Sequence, residues 1–215
     1  MRPAAVLFDC DGVIVDSEPL TDRIIAANLT RHGLPMAPDE VKTLFRGGTM
    51  ASVAETARTR GAGIGENWID DIYAEIFQGL ATGTPLIAGI EAAFDALDAA
   101  GVAYAVGSNG PHRKMAVTLG QHPHLHRRLA GRIFSREDVA RPKPAPDLYL
   151  HAASCIGAEP ARCVVIEDSA TGARAARSAG MACLGYAPLG DGASLAEAGA
   201  RPFRDMAELP ALLGL

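Results

Sequence analysis

The sequence predicts an α/β fold, a doubly wound parallel sheet of Rossmann-like type with a small α-helical domain inserted after the first strand. Three observations carry this expectation. Short runs rich in Val, Ile, Leu or aromatics recur without clean alternation: "AAVLFD" (4–9), "AYAVGS" (103–108), "RIFS" (132–135), "CVVIED" (163–168) and "ACLGY" (182–186). Such runs suit strands buried on both faces of a parallel sheet. Helical stretches separate them from about residue 84 onward, the rhythm of a doubly wound layer. Residues 17–82 show no convincing strand, and this segment is long enough for a small helical core of its own.

The first strand ends abruptly at Asp9, Asp11 and Gly12. "SEPLTDRIIAANLTRHG" then reads as a helix with Pro19 in its first turn and Gly33 closing it. "APDEVKTLF", "TMASVAETARTRG" and "ENWIDDIYAEIFQGLATG" continue as helices, and the chain returns to the sheet near "GTPLIAG". "IEAAFDALDAAG" places Ile90, Phe94 and Leu97 on one face and stops at Gly101. "QHPHLHRR" (121–128) carries three histidines at alternate positions, but lacks nearby acids or cysteines and contains Pro123, so a solvated loop is expected rather than a metal site. "DSATGARAARSAG" offers Ser169 as N-cap and ends at Gly180. The expected domains are a core of residues 1–16 and 83–215 and a helical insert of residues 17–82.

Composition limits the functions to consider. Of the 215 residues 48% are hydrophobic and 21% charged, ordinary for a globular protein. A formal net charge of −5 gives no electrostatic reason to expect nucleic acid or an anionic membrane as partner. Asp9 and Asp11 interrupt the only apolar segment near the N-terminus, which argues against a secretory signal. The four cysteines show no CxxC pairing and read as structural thiols in a reducing compartment. A cytoplasmic location is expected.

In open α/β sheets chemistry gathers at the carboxyl ends of the strands, near a switch in strand order. Here those ends carry Asp9 and Asp11, then Ser108 and Asn109, then Glu167 and Asp168, with Lys143 on the loop "RPKPAPD". Taken singly, Asp9 reads as a turn residue and Asp168 as a helix cap. Taken together they leave Lys143 and the Asp-x-Asp spacing unexplained. Carboxylate oxygens suit a hard dication such as Mg²⁺, which pairs with phosphate oxygens. Lys143 and Ser108 suit the remaining phosphate oxygens. Cys10 falls on the opposite strand face from its two neighbours and is expected in the core.

"FDCDGV", "GSNG", "RPKP" and "VIEDS", in this order and spacing, resemble the motifs of the haloacid dehalogenase-like (HAD) hydrolase superfamily, and the helical insert resembles the cap of its β-phosphoglucomutase-like branch. The resemblance covers essentially the whole chain. It implies that Asp9 attacks phosphorus and becomes an aspartyl-phosphate. Asp11 protonates the leaving oxygen and then takes a proton from water. Asp9 and Asp168 ligate Mg²⁺ through side chains and Asp11 through its backbone carbonyl, with Glu167 behind them or as an occasional ligand. Ser108 and the Asn109 backbone N–H hold the phosphate, and Lys143 supplies compensating charge.

The departures from that branch point to hydrolysis. The mutase carries a cap histidine at the position aligned with Thr21, and threonine titrates nowhere near neutral pH. Met50 stands where the mutase has an arginine for its second phosphate, although Arg46 lies one helical turn away. A Schiff-base phosphonatase needs a cap lysine, and of Lys42, Lys114 and Lys143 only Lys42 lies in the insert, ahead of the Gly-Gly loop. Dehalogenases lack the second aspartate. The expectation is a Mg²⁺-dependent phosphomonoesterase acting on a small phosphorylated metabolite such as a sugar or sugar-acid phosphate, 6-phosphogluconate among the examples. Its rivals are the mutase and a non-catalytic binding protein. The cap is expected to set specificity through Glu18, Thr21, Arg46, Gly47, Gly48 and Thr49, and the oligomeric state is expected to be a monomer or weak homodimer.

Overall fold

The computed structural model describes residues 2–45 and 49–215. Arg46, Gly47 and Gly48, expected to contribute to specificity, lie outside the described residues. The chain divides into two compact units, one formed by Met1–Asp16 with Pro85–Leu215 and the other by Ser17–Thr84.

In chain order, β1 (Ala5–Phe8) is followed by the helices of the insert: α1 (Glu18–Arg31), α2 (Pro38–Phe45), α3 (Met50–Thr59) and α4 (Trp68–Thr82). The core resumes with α5 (Ile90–Ala100), β2 (Ala103–Ser108), α6 (His112–Leu119), α7 (Pro123–Arg128) and β3 (Ile133–Ser135). It ends with α8 (Asp147–Cys155), β4 (Cys163–Glu167), α9 (Ala170–Ser178), β5 (Ala182–Tyr186), α10 (Ala193–Glu197), β6 (Arg201–Phe203) and α11 (Leu209–Leu213).

Among the described residues the strands form one six-stranded sheet in the order β3-β2-β1-β4-β5-β6, with every strand pair parallel. The order reverses direction between β1 and β4, where Phe8 stands in register with Val106 on one side and Ile166 on the other. The doubly wound expectation therefore holds, and a crevice forms at the carboxyl ends of β1 and β4. Because side chains alternate along a strand, Val6 and Phe8 face one helical layer and Ala5 and Leu7 the other. Phe8 packs with Phe94 (ring centroids 4.8 Å apart), and Phe94 with Tyr104 (5.0 Å). The opposite face is rich in alanine, with Ala152, Ala153, Ala173 and Ala176 bringing α8 and α9 close to the sheet.

Two elements differ from the sequence expectation. The histidine-rich stretch is helical: Pro123 begins α7, where its missing N–H is harmless, and Leu125 is buried in the core. The short strand β6 holds Pro202 at the sheet's edge, where a strand tolerates the loss of a donor.

In the insert, α1 packs on α2 and α4, and α3 on α4. Ile25, Leu29, Ile72, Ile76 and Leu80 form its apolar interior. Asn28 crosses it as a polar bridge, accepting from Trp68 Nε1 at 2.7 Å and donating to Glu75 at 3.0 Å. No helix among the described residues is long and apolar enough to cross a membrane.

Candidate active site

Asp9 extends the ladder beyond β1, its N–H bonded to Ile166 O, so its side chain emerges at the carboxyl edge between β1 and β4. The chain then turns tightly. Ile14 and Val15 N–H both donate to Cys10 O, and Gly12 N–H donates to Val15 O. Gly12 has a φ of 76°, and a Cβ there would fall inside the van der Waals envelope of Asp168 Oδ2. Glycine is required on both counts. Cys10 is fully buried in the core, as expected.

Lys143 joins the two strand ends. Its ammonium lies 2.7 Å from Asp9 Oδ1 and 2.7 Å from Glu167 Oε1, and 4.6 Å from the centroid of the Tyr149 ring. Its own loop is clamped to the end of β2, because Lys143 N–H donates to Asn109 Oδ1 and Asn109 Nδ2 donates to Lys143 O, both at 3.0 Å. Asn109, singled out for its backbone N–H, thus also fixes the lysine loop through its side chain.

Glu167 is fully buried and accepts five hydrogen bonds. Lys143 Nζ and Tyr149 OH reach Oε1, while Asp168 N–H, Ser169 N–H and Ser169 Oγ reach Oε2. Ser169 Oγ also accepts from Gly172 N–H, so this residue is the helix cap the sequence indicated. Ser108, 2% exposed, accepts from Gly110 N–H at 3.0 Å, and Ser135 Oγ holds Gly110 O at 2.8 Å. Asp11 is met by Lys114 of α6, whose Nζ lies 2.7 Å from Oδ1.

This arrangement separates the acids electrostatically. Burial pushes the Asp9 carboxyl up to about 7 against the pull of Lys143, and the charges of Glu167 and Asp11 add to the rise. Burial acts on Glu167 in the same direction, but Lys143 and the Ser169 donors outweigh it and hold its carboxyl below the ordinary glutamate range. Burial likewise works against the Lys143 charge, and Asp9 and Glu167 overcome it, so the ammonium is held above the usual lysine range.

Side-chain oxygens of Asp9, Glu167 and Asp168 lie within 4.8 Å of one another, the arrangement of a metal site. The donor set is all oxygen, which suits a hard dication. With every group ionised, four carboxylates (Asp9, Asp11, Glu167, Asp168) face two lysines (Lys114, Lys143), leaving two negative charges in excess, the deficit a dication fills. The residues present therefore fit a divalent cation.

The structure brings together Asp9, Asp11, Asn109, Lys143, Glu167 and Asp168 through these contacts, with Ser108 on the same strand ends. Glu18 and Thr21 lie in the helical unit, at the start of α1, where Thr21 Oγ1 donates to Ser17 O at 2.9 Å. Thr49 caps α3 in the same unit. Sequence reasoning passed over Lys114 and Tyr149. Neither belongs to a short motif, and a lysine on a helix and a tyrosine on an amphipathic face carry no signal until their distant partners are known.

A sequence-family model described as haloacid dehalogenase-like hydrolase matches residues 3–180. The 6-phosphogluconate phosphatase of Escherichia coli K12 is 31% identical over 182 residues, covering 84% of this chain and 80% of that protein. Hexitol phosphatase A of the same organism is 33% identical over 188 residues, 84% of this chain and 81% of that one. Among solved structures, a HAD family hydrolase of Deinococcus radiodurans with bound phosphate and sodium is similar with a TM-score of 0.85 and 33% identity, over 99% of this chain and 96% of that one.

Proposed function

This chain belongs to the haloacid dehalogenase-like hydrolases, and on that footing we propose that it is a Mg²⁺-dependent phosphomonoesterase. Its substrates are small phosphorylated metabolites of the sugar or sugar-acid phosphate class, and the phosphoryl group passes through Asp9. The observation that carries this reading is the convergence of Asp9 and Asp168 from neighbouring strand ends, with buried Lys143 bonded to Asp9. Relatives named for 6-phosphogluconate and hexitol phosphates support the substrate class.

In the first half of the reaction an Asp9 carboxylate oxygen forms a bond to phosphorus while the ester bond to the leaving oxygen breaks. Asp11 delivers the proton that the leaving oxygen needs. In the second half water attacks the same phosphorus, Asp11 takes its proton, and the bond to Asp9 breaks to release phosphate. Ser108 and the Asn109 N–H orient phosphate oxygens, and Lys143 balances their charge. Asp9, Asp168 and the Asp11 backbone carbonyl would hold Mg²⁺, which when bound would supply Lewis-acid stabilisation of the phosphoryl charge. Glu167 serves the site by fixing Lys143 and the Asp168–Ser169 turn through the five hydrogen bonds it accepts, and it stands behind Asp9 and Asp168 or as an occasional ligand of the metal. Specificity for the remainder of the substrate is assigned to Glu18, Thr21, Arg46, Gly47 and Gly48. The Thr21 hydroxyl, already engaged with Ser17 O, favours hydrolysis over the mutase chemistry that a histidine supports.

A panel of phosphate esters ranked by kcat/KM tests this proposal. Sugar and sugar-acid phosphates are expected at the top, with one phosphate released per turnover and none by Asp9→Asn. Asp168→Ala is expected to lose activity and to regain part of it at high Mg²⁺. Phosphate release by Asp9→Asn would overturn the mechanism. Isomerisation of β-glucose 1-phosphate without free phosphate, primed by a trace of bisphosphate, would replace hydrolysis with the mutase reaction.

A further inference from the structure

The two lysines of the site divide the acids between them. Lys143 serves Asp9 and Glu167, whereas Lys114 reaches Asp11, with Nζ 2.7 Å from Oδ1. Lys114 is only one-fifth exposed, and its backbone is well anchored. Its N–H donates to Pro111 O at the start of α6, and the next residue, Met115, is buried in the core. Gly110 lies beside the pair: a Cβ at that position would stand in ordinary contact, 3.5 Å from Asp11 Oδ2 and 3.6 Å from Lys114 Cδ. Pairing of β1 with β2 sets Asp11 and the start of α6 side by side, so this contact is built into the sheet rather than made by a loose surface chain. A bond of this length from the ammonium to Oδ1 restricts rotation of the Asp11 carboxyl both when it carries a proton on its other oxygen, as the first half-reaction requires, and when it has given that proton up.

We infer that Lys114 is a positioning residue for the proposed reaction, holding the Asp11 carboxyl in the orientation from which it exchanges a proton with the leaving oxygen. The inference rests on the reading of Asp11 as the acid of the first half-reaction. In that step Asp9 bonds to phosphorus, the phosphorus–oxygen ester bond breaks, its electrons stay on the leaving oxygen, and the Asp11 proton neutralises them. Proton donation is effective only within hydrogen-bond reach of the acceptor, and it contributes about 10²- to 10⁴-fold. A leaving group that is a weak base gains little from it.

The test therefore uses the leaving group. kcat/KM covers the steps up to its departure and isolates this half of the reaction. Lys114→Met keeps the aliphatic stem and removes the ammonium. It is expected to lower kcat/KM about a hundredfold on alkyl phosphates, where proton donation matters, and no more than about threefold on p-nitrophenyl phosphate. Lys114→Arg, which retains the cation, is expected to restore most of the alkyl phosphate activity. Asp11→Asn should show the same selectivity in stronger form. An equal loss on both substrates, or a failure of arginine to rescue, makes Lys114 a phosphate-binding or merely structural residue and overturns the inference. Selectivity in Asp11→Asn together with none in Lys114→Met overturns this inference alone. Absence of selectivity in Asp11→Asn overturns the acid role of Asp11 and the inference with it.

Discussion

Asp9 and Glu167 share one lysine, yet their protons behave differently, and the cause is the number of donors around each. Glu167 has the Ser169 and Asp168 N–H groups and two hydroxyls besides Lys143, whereas burial outweighs Lys143 at Asp9. Folded, metal-free Asp9 keeps its proton up to about 7, and the unfolded chain releases it near 3.8. Between those values the folded state binds the extra proton, so this residue's contribution to stability is full below the unfolded value and is lost as pH rises through about 7. Urea unfolding of the metal-free protein at a series of pH values should show that decline, and Asp9→Asn should remove it. A cation that needs the Asp9 carboxylate competes with the same proton. Calorimetric Mg²⁺ affinity is therefore expected to rise between about pH 6 and about pH 8, with proton release on binding. A pH-independent affinity would separate Asp9 from the metal.

At the scale of elements, α9 and β4 are fitted around the Glu167 carboxylate. A Cβ on Gly172, in the first turn of α9, would overlap Glu167 Oε1. Gly172→Ala must push Glu167 away from Lys143 and Tyr149. The expected outcome is a loss of about 1–3 kcal/mol in chemical unfolding and about a hundredfold in kcat, since small displacements of catalytic groups are costly. Gly65→Ala, where a Cβ meets nothing within 4 Å, serves as control and should stay within about 0.5 kcal/mol of the parent. Element identity was legible in the sequence wherever a residue type signalled it directly. Apolar runs ended at acids for β1 and β4, Pro19 opened α1, and Ser169 capped α9. It was not legible at α7 and β6. The alternating histidines of α7 obscured one buried leucine, and three residues including a proline are too few to show β6 as a strand.

For the molecule as a whole, the proposed reacting groups Asp9, Asp11, Ser108, Lys143 and Asp168 all belong to the α/β unit, and the inserted helical unit has its own interior. Asn28 is the polar tie of that interior. Asn28→Ala deprives the buried Trp68 N–H of its acceptor, which is expected to cost about 1–3 kcal/mol. Below its melting temperature the variant should bind Mg²⁺ as the parent does, because none of the acids sits in the unit it weakens. Scanning calorimetry with Mg²⁺ titration checks both outcomes. Weakened metal binding in folded Asn28→Ala would contradict this assignment.

The amino-acid order alone determined five of the six strands, which acids end them, and that a helical unit interrupts the sheet after its first strand, because these depend on local periodicity and near-neighbour chemistry. Only the tertiary structure decided which base meets which acid. Lys143 with Asp9 and Glu167, Lys114 with Asp11, and Tyr149 with Glu167 are contacts between residues well separated in the chain. Strand order and register bring them together, and the distance and angle requirements of hydrogen bonds make those pairings specific.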